Sequence, residues 1–200
     1  MASASSLIDL WKDSDEKDAF YAKRAKSVYL WVNEAQLRHV DKSEILRSIW
    51  KPTITSTGKI ALPSDFLREF PDKILKTTGS PSSNILIKVD YQDAILSEFS
   101  SVTHYSIYNG YLYVWAAGAC TPEIPYVQKP TVIDTGDMED DNLELPTETH
   151  FTLGLFLDAM WCKSKGDYTA YLVLLSQFEK RAIMEGQKFA HRQFTPARMR

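Results

Sequence analysis

Residues 145–191 constrain this chain more than any other stretch. They read Leu-Pro-Thr-Glu-Thr-His, then an apolar run, then Lys-Ser-Lys-Gly-Asp, then a second periodic run. This is the pattern of two long helices joined by a tight turn. Pro146 suits a helix start, because its missing N–H is one of the donors left unpaired there. Thr147 is the expected N-cap, and Glu148 adds negative charge to the first turn. Gly166 supplies a left-handed stop after a lysine-bearing last turn, with Asp167 as the cap of the next helix. The first helix is apolar on nearly every side, through Phe151, Leu153, Phe156, Leu157, Met160 and Trp161, and has to be covered on more than one face. The second carries a cleaner stripe of Tyr168, Tyr171, Leu172, Leu175, Phe178 and Ala182. The first helix is therefore expected at the centre, with the second packed on it.

The N-terminal quarter supplies a third helix. Residues 1–12 read as an arm or a short docking strand whose adhesive part is Leu7, Ile8, Leu10 and Trp11. Asp13 and Glu16 have the spacing of a capping box. From 17 to 40, Tyr21, Ala25, Val28, Val32 and Ala35 share one face, while Trp31 and Leu37 lie off it. An off-stripe tryptophan covers either a flank of the same core or a neighbouring subunit. Further helical turns are expected over 43–50, before Pro52 stops them.

The middle of the chain changes period. Residues 53–62 are rich in β-branched side chains around Thr57-Gly58 and read as a short hairpin. Glycine, proline and serines make 76–84 a loop, and 85–91 resumes as a strand. The strongest local signal is Asn109-Gly110, the preferred pair for a two-residue type I′ turn. Pairing Tyr108 with Tyr111 across it places Tyr105, Ile107, Leu112 and Val114 on one face. His104, Ser106, Tyr108, Tyr111, Tyr113 and Trp115 then share the other, a strip of amphipathic aromatics suited to a cross-strand ladder or to an interface. Pro125 and Pro130 are expected to confine 124–133 to a sheet edge. Beyond Ala190 periodicity is lost, as in a segment that orders only on a partner.

The chain is 44% hydrophobic, enough for a core, and carries a net charge of −3, which excludes binding nucleic acid through bulk positive charge. The charge is unevenly placed. Residues 134–148 hold seven acids and no base, whereas 186–200 hold Lys188, Arg192, Arg198 and Arg200 and no acid. Two cysteines, Cys120 and Cys162, do not make a disulfide framework, so a reducing compartment is expected. No apolar run is long enough to span a bilayer, and no membrane partner is expected. The four histidines form no metal-ligand pair, no Gly-x-Ser-x-Gly elbow occurs, and the glycines are single rather than in phosphate-cradling loops. The chain is accordingly read as non-enzymatic, with no catalytic, metal-binding or cofactor-binding residue and no cofactor.

The fold class expected is α+β: an antiparallel helical bundle, formed by the long N-terminal helix and the C-terminal pair, with an inserted antiparallel β-rich region. As one domain over 1–200, it divides into a bundle over 14–51 and 146–191, a β-rich insertion over 52–133, an acidic loop over 134–145 and a flexible basic tail over 192–200. The order of the pieces carries a resemblance. A long helix is followed by a Thr-rich segment leading to Ala61-Leu62-Pro63-Ser64-Asp65-Phe66, then by the Tyr-x-Ile-x-Asn-Gly-x-Leu-x-Val hairpin. Leu145-Pro146 next opens an apolar helix, and Gly166-Asp167-Tyr168 leads to a helix containing Gln177-Phe178-Glu179-Lys180. Over about residues 16–190 this resembles the head-to-tail adaptor proteins of short-tailed bacteriophages, the group that includes the tail tubular A proteins.

The resemblance implies a virion structural protein of the neck and tail, assembled in the bacterial host cytoplasm. About twelve copies would form a ring joining the portal to the tail or nozzle protein. Double-stranded DNA would pass through the ring without specific binding. On this reading Lys188, Arg192, Phe194, Arg198 and Arg200 are the candidate portal contacts. Trp31, Tyr108, Tyr111, Tyr113 and Trp115 are candidate subunit contacts, and Asp137, Glu139, Asp140 and Asp141 would line the channel and repel phosphate. The alternatives are a head-completion or stopper protein of a long-tailed phage, which shares the helical bundle, and a cellular helical interaction module.

Overall fold

The turn expected at Gly166 is present, and it sets the geometry of the helical part. Gly166 takes φ 83°, a left-handed conformation that costs glycine nothing. Asp167 then caps the next helix by accepting from the Ala170 N–H at 3.0 Å. The computed structural model describes residues 3–54, 58–70, 74–78, 85–96, 104–115, 121–133 and 143–194, with the side chains of 74–78, 85, 96 and 191–194 outside that description. The chain is α+β. It divides into two units: Met1–Leu46 together with Lys129–Arg200, and Arg47–Gln128.

The first unit is helical. It holds α1 (Ala4–Trp11), α2 (Asp15–Ser43), α4 (His150–Ser164) and α5 (Tyr168–Phe194). Helices α2, α4 and α5 each pack against the other two, and α1 lies on α4. The α2 stripe is buried at Val28, Val32 and Ala35, joined by Tyr29, His39 and Val40. Leu153, Phe156 and Leu157 of α4 meet Phe178 and Ala182 of α5 in the same core. Asn33 pins the returning chain, donating to the Ile133 carbonyl at 3.0 Å and accepting from its N–H at 2.9 Å.

Several expectations for this unit are corrected. The N-terminal arm is a helix, α1, capped by Ser3 and burying Leu7, Ile8 and Trp11. It is too short to hold by propensity, so burial against α4 makes it. The cap of α2 is Ser14, which accepts from the Lys17 N–H, and Asp13 pairs with the Lys17 ammonium instead of forming a capping box. Helix α2 ends at Glu44 in the left-handed region, its N–H bonded to the Val40 carbonyl, and 47–50 is a strand rather than further helix. A 3-10 turn over Thr147–Thr149 precedes α4, so Thr147 is not its cap. The α5 stripe starts later than its spacing implied, since Tyr168 and Leu172 are exposed. At the far end the helix runs on to Phe194, past the loss of periodicity. No helix among the described residues is long and apolar enough to cross a membrane.

The second unit is built on strands β1 (Arg47–Trp50), β2 (Gly58–Ala61), β3 (Phe66–Glu69), β4 (Ile74–Thr78), β5 (Ile85–Lys88), β6 (His104–Tyr108), β7 (Tyr111–Trp115) and β8 (Thr121–Gln128), with the short helix α3 (Tyr91–Leu96) after β5. The strand order is β1-β8-β4-β5-β6-β7-β2, with β3 also on β8. All pairs are antiparallel except β5 with β6, which corrects the expectation of a wholly antiparallel region. The core collects Ile54, Leu86, Tyr105, Leu112, Val114 and Ile124.

Other strand expectations change. Strand β4 runs through Thr78, into the expected loop 76–84, and β5 ends at Lys88, so that Tyr91 opens α3. Strand β2 pairs with β7, Gly58 facing Val114, while 55–57 of the expected 53–62 hairpin lie outside the described residues. Strand β8 lies inside the sheet, not at its edge. It pairs with β1 over Ile124 to Val127 while meeting β4 at Thr121 to Glu123 and β3 from Tyr126 onward. Pro125 is tolerated because it falls at the joint between the β4 and β3 pairings, where its carbonyl accepts from the Phe70 N–H at 3.1 Å. A residue's N–H and C=O point to the same side of an antiparallel strand, so the missing donor falls at that joint as well.

The Asn109-Gly110 turn forms as expected, with Tyr108 opposite Tyr111 and φ of 48° and 79° at the two central residues. Gly110→Val is expected to cost about 1–2 kcal/mol, the penalty for a Cβ in the left-handed region. Since a Cβ there would touch nothing within 4 Å, the loss is purely conformational. Thermal melts of this variant beside Asn109→Gly, which should stay close to the parent, check it.

Candidate functional site

Three features stand out, one in the strand unit and two in the helical unit. The first grows from the hairpin. Alternation sends Tyr105, Leu112 and Val114 into the core and leaves Tyr108 50% and Tyr111 37% exposed on the other face. Among the described residues strand β5 pairs with β6 at His104 and Tyr105, then leaves the sheet for α3. This departure sets Tyr91 on the aromatic strip. Its ring lies parallel to Tyr108 with centroids 4.5 Å apart, and 4.5 Å from the tilted ring of Tyr113. Tyr113 stacks in turn on Trp115, and the Lys59 ammonium sits 4.9 Å over Tyr111. A hydrogen bond with Tyr113 raises the Tyr91 hydroxyl above the ordinary tyrosine value. Where β5 withdraws, a cavity of about 620 Å³ opens between residues 88–92 and 106–108.

The second feature is a groove in the helical unit, about 350 Å³. Leu7, Leu10 and Trp11 of α1 form one wall, and His150, Phe151, Gly154 and Leu155 of α4 form the other. Its polar end is Asp13, Lys17 and Asp158. The Lys17 ammonium lies 2.8 Å from both carboxylates, and the Trp11 indole donates to Asp158 at 3.1 Å. His150 is 6% exposed, its Nε2 has no hydrogen-bond partner among the described residues, and burial holds its pKa below the ordinary 6.5.

The third is a buried polar network joining three helices. His39 of α2 bonds through Nε2 to Glu185 of α5 at 2.7 Å and through Nδ1 to the Ser43 hydroxyl at 3.2 Å. Thr152 of α4 donates to the other Glu185 oxygen at 2.6 Å. Burial raises the Glu185 pKa, but the hydrogen bonds from His39 and Thr152, with the charges of His39 and Arg181, outweigh it and hold the carboxyl below its ordinary range. The connectivity is that of a serine–histidine–acid relay. His39 is fully buried and Ser43 is 4% exposed, however, so the hydroxyl meets no substrate and the network is structural. Among the described residues no group of three or more histidine, cysteine or acidic side chains is placed to hold a metal ion. Cys162 is free and half-buried, its thiol pushed up chiefly by burial.

No protein-family model and no curated protein matches this chain.

The residues singled out from sequence fall in different places. Tyr108, Tyr111, Tyr113 and Trp115 do come together, with Tyr91 as the member the sequence reading missed; a lone tyrosine opening a short helix gave no signal. Trp31 is half-buried in an aromatic cluster of its own unit, stacked on Phe20 at 5.4 Å and edge-on to Trp11 at 6.4 Å. Lys188 is exposed on α5. Arg192 and Phe194 belong to the last turn of that helix, their side chains undescribed. Arg198 and Arg200 lie outside the described residues, as do Asp137, Glu139, Asp140 and Asp141 and most of the acidic loop. The groove and the buried network were both missed, because each joins segments more than 100 residues apart.

Proposed function

We propose that the chain is a head-to-tail adaptor of a short-tailed phage particle, a ring-forming structural protein between portal and tail around the DNA channel. On this reading the helical unit is an antiparallel bundle forming the ring wall, and the strand unit faces the next tail component. The observation that carries it is the aromatic ledge. Tyr108 and Tyr111 stand half wet beside stacked Tyr91, Tyr113 and Trp115, an aromatic patch of the kind that marks interfaces. The order of elements, long helix, strands, then helix pair, supports the same reading. Trp31 contributes through whatever edge its own cluster leaves uncovered, and Asp137, Glu139, Asp140 and Asp141 repel the passing phosphates.

Electron microscopy of the purified chain mixed with portal tests the proposal. Closed rings seated on the portal are expected. Replacing Tyr108 and Tyr111 together with serine should weaken ring formation more than about tenfold, as at interface hot spots, while leaving the melting temperature nearly unchanged. A monomer without affinity for any short-tailed-phage portal, or rings indifferent to the double substitution, would remove the basis of the reading.

A further inference from the structure

The groove between α1 and α4 is not accounted for by the ledge. Its lips are Leu10 on the α1 wall and Phe151 on the α4 wall, 72% and 63% exposed, while Leu7 and Trp11 of the α1 wall are buried. An occupant that only filled 350 Å³ would leave both lips in water, so a chain segment that also covers the lips is the better match. Gly154 leaves one wall open, since nothing lies within 4 Å of where a Cβ would stand. His150 offers the groove one buried nitrogen with no partner among the described residues, suited to a backbone group of an extended segment.

The charge at the rim narrows the choice. Residues 9–18 hold five acids, Asp9, Asp13, Asp15, Glu16 and Asp18, against Lys12 and Lys17. Lys12 is held by Asp9 at 3.0 Å and Lys17 by Asp13 and Asp158. Both cations are thus engaged. Glu16 is itself paired with Lys165, and Arg181 lies 4.4 Å over the Phe151 ring at the other lip, so the surplus of negative charge is confined to the α1 side, in Asp15 and the excess carboxylates around Lys12 and Lys17. An apolar groove with an acidic rim selects apolar anchors flanked by arginine or lysine. Residues 193–200 of this chain, Gln-Phe-Thr-Pro-Ala-Arg-Met-Arg, offer Phe194 and Met199 beside Arg198 and Arg200, with no acid.

We propose that the α1–α4 groove receives residues 193–200 of a second copy of the chain. Groove and segment are unlike surfaces of one molecule, so the contact is heterologous and repeats head to tail, closing into a ring where the rotation allows. This rests on the adaptor reading only for the second copy, and it assigns Arg198 and Arg200 to the neighbouring subunit rather than to the portal.

The probe is a fluorescein-labelled peptide of residues 188–200, titrated by anisotropy into the chain lacking 193–200. Saturable binding is expected. It should weaken at least tenfold with Gly154→Trp, which fills the groove, and with Leu10→Lys, which alters an exposed lip without touching the core. Mixing the shortened chain with full-length Gly154→Trp should give one-to-one dimers in sedimentation, because each supplies the half the other lacks. The proposal is overturned if the peptide does not bind, or if it binds equally to both variants. It is also overturned if the segment occupies the groove of its own chain, seen as concentration-independent quenching in a monomer. Portal rings formed by the shortened chain together with a silent peptide would sink this contact and leave the adaptor reading standing. Peptide binding without any portal ring would do the reverse.

Discussion

Gly186→Val is expected to unfold the helical unit some 10 °C earlier than the parent, the shift corresponding to a loss of about 3 kcal/mol in a chain of this size. Gly186 lies inside α5 where that helix crosses the end of α2. A Cβ built on it would stand 2.1 Å from the Ser43 carbonyl oxygen and 2.7 Å from the Ser43 carbonyl carbon and Cα. These are backbone atoms of a packed helix and cannot swing aside. Against this, any residue other than glycine or proline gains helix propensity, up to about 1 kcal/mol for alanine. The steric cost wins, so even Gly186→Ala should destabilise. Gly154 in α4 is the internal control: open space surrounds its missing Cβ, and Gly154→Ala is expected to stabilise by about 0.5–1 kcal/mol. Equal effects of the two alanines in thermal denaturation would contradict the close crossing of α2 and α5.

Glu185→Ala should cost about 3–5 kcal/mol, the range for breaking a buried pair by removing one member. The substitution strands the His39 Nε2–H and the Thr152 hydroxyl without an acceptor, and His39 is wholly out of water. Glu185→Gln keeps an oxygen for Thr152, and its amide can donate to His39 Nε2 once the ring proton moves to Nδ1, where the Ser43 oxygen accepts it, so it should cost roughly 1 kcal/mol. The pH dependence separates charge from shape. The folded carboxyl titrates below its ordinary value of 4.5, so its contribution is complete above that pH. The contribution is lost as pH falls from there through the lowered value, where the unfolded state binds the extra proton first. Urea melts between pH 6 and roughly 3 should show this slope in the parent and a flatter one in Glu185→Gln. A loss under 0.5 kcal/mol for Glu185→Ala would mean that the three-helix network is not holding the unit together.

His150 adds a second, separable acid sensitivity. Its pKa is lowered by burial, so stability falls as pH drops below the ordinary 6.5, where the unfolded ring takes up a proton that the folded one refuses. This window opens at a higher pH than that of Glu185, so a substitution at His150 should flatten the curve from just below 6.5 downward and one at Glu185 only below 4.5.

Much of the chain could be read without coordinates where one short stretch dictates its own backbone. Asn109-Gly110 demands positive φ at two successive residues, and only a type I′ hairpin satisfies it, so the register of β6 on β7 and both of their faces followed. Gly166-Asp167 fixed the turn between α4 and α5 in the same way, and the apolar spacing of Val28, Val32 and Ala35 fixed the inner face of α2. Where propensity was weak or a partner was distant, reading failed. Helix α1 exists because α4 buries it, and 47–50 became a strand because 124–127 lie alongside. Pro125 looked like an edge marker because a sequence does not reveal that two successive partners meet opposite it.

The surfaces divide along the same line. Alternation in the hairpin announced the tyrosine strip, but only the fold laid Tyr91 on top of it. The chain by itself determined its three long helices, its best turn, its aromatic strip and its opposed acidic and basic stretches, since each depends on residues within a turn or two of one another. Tertiary structure alone decided that His39, Thr152 and Glu185 share one proton network, that Gly186 touches Ser43, and that α1 and α4 enclose a groove lined by the buried His150 nitrogen. These depend on close approach between segments far apart in sequence, and no local pattern encodes a distance.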